Sequence, residues 1–374
     1  MISAIIALLF ILLFFYIVFL ATVLRGLYSL KRISSSGRKK VSVLIAARNE
    51  ENNIGRCLQS LSRQSYPMEQ YEVIVIDDGS SDKTAEVVSS FQKTLNNLHV
   101  ISLPQYNWAS SGRKPQALAE GIKIARGEII LTTDADCTVP YRWIELMEAH
   151  FKNDVVFITG PVIEKVETNI FSQMEYLEFL GIVSTGAGLI GSGYPIICNG
   201  ANLGYRKSAY QRVKGYSNYS LSNDDETLMH QILNNGIGKV DFVASVDAVV
   251  LTQSSNSLSS FFRQRMRWAN KRGHYENNNI LAVLVMLYLF FLFFCLSAVF
   301  AFFTSAVLIP ISAALFLKIA IDYLVLRKGA LLFGQRVSLF FFLIAELLHA
   351  PYIVVVAALG QVQSMKWKGR VIRQ

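Results

Sequence analysis

Short apolar runs alternate with helically spaced apolar positions through the middle of the chain, and long uninterrupted apolar stretches flank them. The run at 41–46, VSVLIA, predicts a buried strand, and the polar segment Ala47-Arg48-Asn49-Glu50-Glu51-Asn52 predicts the turn after it. Ile54, Cys57, Leu58 and Leu61 then recur at helical spacing. A second run, 73–76, stops at Asp77 and Asp78, followed by Gly79, Ser80, Ser81 and Asp82. Asp82 or Thr84 starts the next helix, whose apolar face carries Val87, Val88 and Phe91. Further strands are expected at 98–103, 129–132 and 155–158, extended chain at 240–251, and helices at 116–125 and 141–151. Strand alternating with helix predicts βαβ units and a mostly parallel sheet, an α/β domain.

Residues 160–195 resist assignment because glycines stand at 181, 186, 188, 191 and 193. Phe171, Met174, Leu177 and Leu180 fit an amphipathic helix on a membrane surface or a core-facing helix equally well. The stretches 2–24, 280–303 and 305–326 are each long enough to span a bilayer. Asp322 within the third is costly unless it faces protein or headgroups. The stretch 337–360 contains Glu346, His349 and Pro351, which points to a segment that re-enters and returns. The expected organisation is a membrane helix at 1–24, a basic linker at 25–40, one domain at 41–256 and an interfacial helix at 257–278. C-terminal membrane helices at 279–363 and a basic tail at 364–374, with Lys366, Lys368, Arg370 and Arg373, complete it.

Of the 374 residues 52% are hydrophobic, and that excess sits in the flanking stretches, so the middle has the composition of a soluble domain. The net charge of +9 could mean nucleic acid, but its placement argues otherwise. Arg25, Lys31, Arg32, Arg38, Lys39 and Lys40 follow the first apolar stretch with no acid among them. That is the positive-inside pattern, so the domain is expected in the cytoplasm, under an inner membrane it is anchored to. Cys57, Cys137, Cys198 and Cys295 form no CxxC pair, so neither a disulfide framework nor a zinc cluster is expected.

Candidate chemistry lies where parallel strands end in acids, because ligands of open α/β sheets bind at the strands' carboxyl ends. Asp77-Asp78 and Asp134-Ala135-Asp136 are two such ends. Acidic turns are also common after strands without any function. Asp-x-Asp suits Mg2+ or Mn2+, and a cation there would offset the charge of a diphosphate. Asp224-Asp225-Glu226 opens a helix. Asp225 there is either a general base for an acceptor hydroxyl or a helix-capping acid. Gln264, Arg267 and Trp268 precede a span, so they suit either diphosphate and acceptor contacts or an interfacial belt.

Taken together, these motifs resemble the membrane-integrated inverting glycosyltransferases of family 2, relatives of cellulose, hyaluronan and poly-N-acetylglucosamine synthases and of ceramide glucosyltransferase. The resemblance covers residues 41 to 275 and, more loosely, the flanking spans. It implies a GT-A type domain binding a nucleotide sugar, most often a UDP-sugar. The donor would meet Ala47, Arg48, Glu50, Asp77, Asp78, Lys114, Asp134, Ala135, Gln264 and Arg267. Asp136, with Asp134, would hold Mg2+ or Mn2+; Asn199, Gly200, Asn202, Asp224 and Trp268 would border the acceptor, and Asp225 would be the base. Asp224 stands where many members have Glu, and His230 where Arg is frequent. The small C-terminal membrane region favours a lipid acceptor; a processive polysaccharide synthase is the nearest alternative. A non-enzymatic receptor and a membrane nucleotidyltransferase fit the paired acids and the Gln-x-x-Arg-Trp motif less well.

Overall fold

A computed structural model of the chain describes residues 2–31, 37–103, 113–152, 154–166, 169–213, 215, 224–255, 257–269, 278–362, 365–367 and 370–372. Arg32 of the basic linker, residues 270–277 of the expected interfacial helix, and Lys368 and Arg373 of the tail lie outside the described residues. In chain order the elements are α1 (Ile2–Ser29), β1 (Val41–Ala47), α2 (Ile54–Leu61), β2 (Tyr71–Asp77), α3 (Thr84–Phe91), β3 (Leu98–Ser102) and α4 (Arg113–Ile124). There follow β4 (Ile129–Thr132), α5 (Trp143–Ala149), β5 (Val155–Thr159), β6 (Val162–Glu164), α6 (Ile170–Gly191), β7 (Leu203–Arg206), α7 (Lys207–Arg212) and α8 (Asp224–Asn234). The last are β8 (Lys239–Phe242), β9 (Val250–Thr252), α9 (Leu258–Ala269), α10 (Asn278–Phe300), α11 (Leu308–Leu332), α12 (Leu339–Val362), β10 (Met365–Trp367) and β11 (Arg370–Ile372).

Two compact units divide the chain. Leu30–Lys165, Pro195–Gln253 and Lys366–Gln374 form a sheet unit; Met1–Ser29, Val166–Tyr194 and Ser254–Met365 form a helical unit. The uninterrupted domain expected at 41–256 is therefore broken: residues 166–194 belong with the helices.

The sheet unit is built on seven strands in the order β3-β2-β1-β4-β7-β5-β8. β1 runs parallel to β2 and β4, β2 to β3, and β5 to β8. Only β7, among the described strands of this sheet, is antiparallel, to both β4 and β5. All seven residues of β2 are buried, as a strand covered on both faces requires. Ala117, Leu118 and Ile122 of α4 and Leu228, Met229 and Ile232 of α8 join Leu44, Ile74, Ile76 and Phe157 in one core. Burying each such Leu or Ile contributes about 1.5–3 kcal/mol. The strands expected at 41–46, 73–76, 98–103, 129–132 and 155–158 all form, within two residues of those bounds. The stretch 240–251 does not run extended throughout; a 3-10 turn at Val246–Ala248 separates β8 from β9, which pairs with β6.

In the helical unit, α1, α10, α11 and α12 are long and apolar enough to cross a membrane. Within the stretch 160–195, residues Ile170–Gly191 form one 22-residue helix, α6, packed on α1 and α11. Its glycines, which weaken a helix in isolation, here let helices approach. A Cβ on Gly26 would overlap the backbone of Gly188, and one on Gly188 the backbone of Val23. Two hydroxyls seal the crossing: Ser192 Oγ donates to the Thr22 carbonyl and Ser29 Oγ to the Gly191 carbonyl, both at 2.6 Å. Hence α6 is not a one-sided surface helix; it is packed among helices. Residues 339–362 form a single helix that continues through Pro351, without the reversal that re-entry needs. Asp322 faces protein. Its carboxylate accepts from Lys318 Nζ at 2.7 Å and from Tyr16 OH at 2.6 Å. Lys318 is fully buried, also bonds the Glu346 carboxylate, and lies 3.2 Å from His349 Nδ1.

Candidate active site

The C-terminal ends of β1, β2 and β4 lie side by side, since Ala47 is opposite Asp77 and Leu44 opposite Thr132. The turn after β1 is laced to the turn after β2. Asn49, with φ 53°, donates its N–H to Ser80 Oγ at 3.0 Å, and its side chain accepts from the Ser81 N–H at 2.9 Å. Arg48 Nη1 lies 3.5 Å from the Asp78 carboxylate and 3.3 Å from its carbonyl oxygen. Asp77 Oδ1 accepts from the Ser80 N–H at 3.0 Å. Asp82 precedes α3 and accepts from the Thr84 N–H at 3.0 Å, so it tethers the helix start. These bonds hold Arg48, Asp77 and Asp78 in one cradle, with both aspartates buried.

Lys114, near the start of α4, reaches Asp134 Oδ1 at 2.5 Å. Ligand atoms of Asp134, Asp136 and Cys137 all lie within 4.8 Å of one another. Burial, then the charges of Asp134 and Glu50, push the Asp136 carboxyl up to about 6. Glu50 was expected at the donor; its carboxylate bears on Asp136 and also accepts from Asn53 Nδ2 at 2.8 Å. Ala135 between the two aspartates is buried. Two hard carboxylates, Asp134 and Asp136, whose ligand atoms lie within 4.8 Å of each other, suit a divalent cation. Cys137, adjoining this set, was not singled out in the sequence, and its only sequence signal is its place after Asp136.

The loop before β7 brings a second group to the same end of the sheet. Thr132 Oγ1, at the end of β4, donates to the Gly200 carbonyl at 2.8 Å. A Cβ at Gly200 would overlap the Asp225 carboxylate, so glycine is what lets this backbone meet the first turn of α8. Asn199 Oδ1 accepts from the Ala201 N–H at 3.0 Å and shapes the loop. His230, one turn further along α8, donates Nε2–H to the Ile196 carbonyl at 3.0 Å, tying helix to loop from the other side. Asp224 opens α8, and the surroundings of its side chain are not described.

Asn202 corrects an expectation. It is 0% exposed, donates Nδ2–H to the carbonyls of Pro161 and Ala248 at 2.9 and 2.8 Å, and accepts from Trp143 Nε1 at 2.9 Å. Its side chain is spent inside the sheet unit, where it fixes the loop carrying Gly200 instead of bordering an acceptor. Gln264, Arg267 and Trp268 belong to α9 in the helical unit. There the Trp268 ring lies 5.8 Å from that of Phe179.

A mostly parallel sheet with acidic loops at one end and an inserted antiparallel strand is the architecture of a nucleotide-sugar transferase domain. The chain belongs to the family 2 glycosyltransferases: the model "Glycosyl transferase family group 2" matches residues 129–356, and "Glycosyl transferase family 2" matches 42–213. The beta-monoglucosyldiacylglycerol synthase of Trichormus variabilis is 39% identical over 99 residues, 26% of this chain and 20% of the relative. The poly-beta-1,6-N-acetyl-D-glucosamine synthase of Staphylococcus epidermidis is 27% identical over 244 residues, 63% of this chain and 54% of the relative. The chain thus spans about half or less of the length of these curated relatives. Among solved structures, the mannosyltransferase PcManGT of Pyrobaculum calidifontis, in complex with GDP-Man and Mn2+, has the same fold. Its TM-score is 0.60 at 18% identity, over 96% of this chain and 98% of that one.

Proposed function

We propose that this glycosyltransferase moves one sugar from a nucleotide sugar, a UDP-sugar, to a hydroxyl of a membrane lipid, with inversion at the anomeric carbon. The observation that carries the reading is the juxtaposition at one sheet end: the crowded carboxylates after β4, tied through Thr132 to the Gly200 loop, and Asp225 against that same loop. The cradle of Arg48, Asp77 and Asp78 receives the base and ribose, with Lys114 and Ala135 beside the donor. Asp136 and Asp134 hold Mg2+ or Mn2+, which when bound offsets the charge of the diphosphate. Asp225 takes the proton of the acceptor hydroxyl as that oxygen attacks the anomeric carbon. The attack comes from the face opposite the diphosphate, and the bond to the diphosphate oxygen breaks in the same step. Inversion in one step needs no covalent nucleophile on the protein. Gln264 and Arg267 take the diphosphate and Trp268 the acceptor, with Asn199, Gly200 and Asp224 on the acceptor side.

A lipid acceptor is supported by the four apolar helices and by the glucosyldiacylglycerol synthase among the relatives. The basic linker supports a sheet unit on the cytoplasmic side of an inner membrane. The polysaccharide synthase among the relatives supports a second reading, processive chain extension. Turnover of UDP-glucose, UDP-galactose and UDP-N-acetylglucosamine with a host lipid extract tests the reading. Release of UDP with sugar incorporated into lipid is expected. Release of inorganic diphosphate would make the chain a nucleotidyltransferase instead.

A further inference from the structure

Between Gln264 and Arg267 of the family motif stands Arg265, which the motif leaves undefined. It is buried in α9, with 2% of its side chain exposed. A guanidinium so placed costs several kcal/mol to desolvate unless its donors and charge are answered. Here they are. Nε donates to Glu178 Oε2 at 3.0 Å and Nη2 to the same oxygen at 2.6 Å, while Tyr352 OH donates to Glu178 Oε1 at 3.0 Å. The guanidinium carbon lies 4.4 Å from the Trp268 ring centroid, 4.7 Å from that of Phe261 and 5.5 Å from that of Phe179. A further contact is with the motif itself: Nη1 donates to Gln264 Oε1 at 2.5 Å.

That last bond has a chemical consequence. Arginine has donors only, so the atom Gln264 turns to it must be the carbonyl oxygen. The amide's carbonyl end is thereby turned to the guanidinium, and its NH2 group is the end it can offer to a ligand that presents acceptors. A diphosphate presents acceptors only and needs a donor of this kind. The same guanidinium stacks on Trp268, so one side chain sets the orientation of two motif residues. Glu178 and Tyr352, from α6 and α12, fix that guanidinium in turn.

We propose that Arg265 is a positioning residue for transfer. Held by Glu178 and Tyr352, it engages the carbonyl oxygen of Gln264, so that the amide offers its NH2 to the donor's diphosphate, and it fixes the Trp268 indole. This rests on the function proposed above and adds the polarity of the Gln264 contact and the device that sets it.

The test uses the full chain in detergent, with UDP-glucose, UDP-galactose and UDP-N-acetylglucosamine, Mn2+ and the lipid extract, and follows UDP release and thermal unfolding. Arg265→Lys keeps the charge but loses the fork and the flat stacking face. It is expected to raise the donor KM about tenfold, the scale of a lost charge-assisted hydrogen bond, with a smaller change in kcat. The paired variant Arg265→Met with Glu178→Leu replaces the ion pair by apolar side chains. It is expected to unfold within a few degrees of the wild type while keeping the raised donor KM. Recovery of the wild-type KM together with stability would show that Arg265 only holds the helices together, and would overturn the proposal. So would an unchanged KM in Arg265→Lys. A wild type that turns over none of the three sugars would remove the function reading and this proposal with it. Wild-type turnover with unaltered variants removes only the proposal.

Discussion

Asp136 in the sheet unit and the carboxylates around Lys318 in the helical unit are placed in opposite ways, although Asp78 and Asp134 of the sheet unit do meet Arg48 and Lys114. In the sheet unit Asp136 has Asp134 and Glu50 as charged neighbours, and its carboxyl is pushed up to about 6. In the helical unit Asp322 and Glu346 share the ammonium of Lys318, and Glu178 faces the guanidinium of Arg265. Charges answered by the chain itself hold helices together, and removing one partner strands the other. Like charges crowded at the mouth of a sheet oppose folding, and such groups mark chemistry more often than architecture. The contrast separates Asp136, whose replacement should stop transfer, from Lys318, whose replacement should melt the protein.

Asp136→Asn is the largest expected effect on transfer. It should abolish nearly all sugar transfer and weaken donor binding while the unfolding temperature stays the same or rises, because a repelled charge has been removed. Chelation should likewise stop transfer, reversed by Mn2+ or Mg2+. Full activity after exhaustive chelation would reject a cation at this site.

Asp225→Asn comes next. Loss of a general base is expected to lower transfer by ~10²-fold or more with donor binding retained. The two variants therefore part company on donor binding, and normal transfer by Asp225→Asn would remove the base assignment.

The pH dependence is a smaller effect. The folded value of about 6 lies above the ordinary 3.8, so this group's contribution to stability is present below about 4 and lost as pH rises through about 6. A divalent cation relieves the repulsion only when the carboxylate is ionised. Mn2+ should therefore raise the unfolding temperature at pH 7.5 and do so far less at pH 5. Equal stabilisation at both would disconnect Asp136 from the cation.

Lys318→Met should change transfer per folded molecule least of all. Stranding Asp322 and Glu346 in the helical unit should cost about 3–5 kcal/mol of stability. An unaltered melting curve in detergent would show that the network contributes nothing and would blur the contrast between the units.

Much of the sheet unit was legible because its central strands are apolar runs that end abruptly in acids, and Asp77 and Asp134 mark those ends without ambiguity. β7 was not: four residues, LGYR, carry too little pattern to separate a strand from a loop. α6 was hidden by its own glycines. Single-helix propensity counts Gly188 against a helix, whereas packing on Gly26 requires it. Asn202 shows the limit of a motif. The motif gives its position, but only the fold shows that its amide is turned inward to Trp143, Pro161 and Ala248. Asp322, Glu346 and His349 stood out as polar residues in apolar stretches. The helix that continues through Pro351 reversed the reading of the last stretch, and Lys318, a cation that joins these polar residues across helices, accounts for their presence there.

The most direct test of the central claim is mass spectrometry of the products. The purified full chain would be incubated with UDP-glucose, UDP-galactose or UDP-N-acetylglucosamine, Mn2+ and a host lipid extract. The account predicts a lipid whose mass has grown by one sugar with one of the three donors, and ~10²-fold less of that product, or still less, from Asp225→Asn. A ladder of long sugar chains from the wild type would contradict it and leave polymer synthesis as the activity.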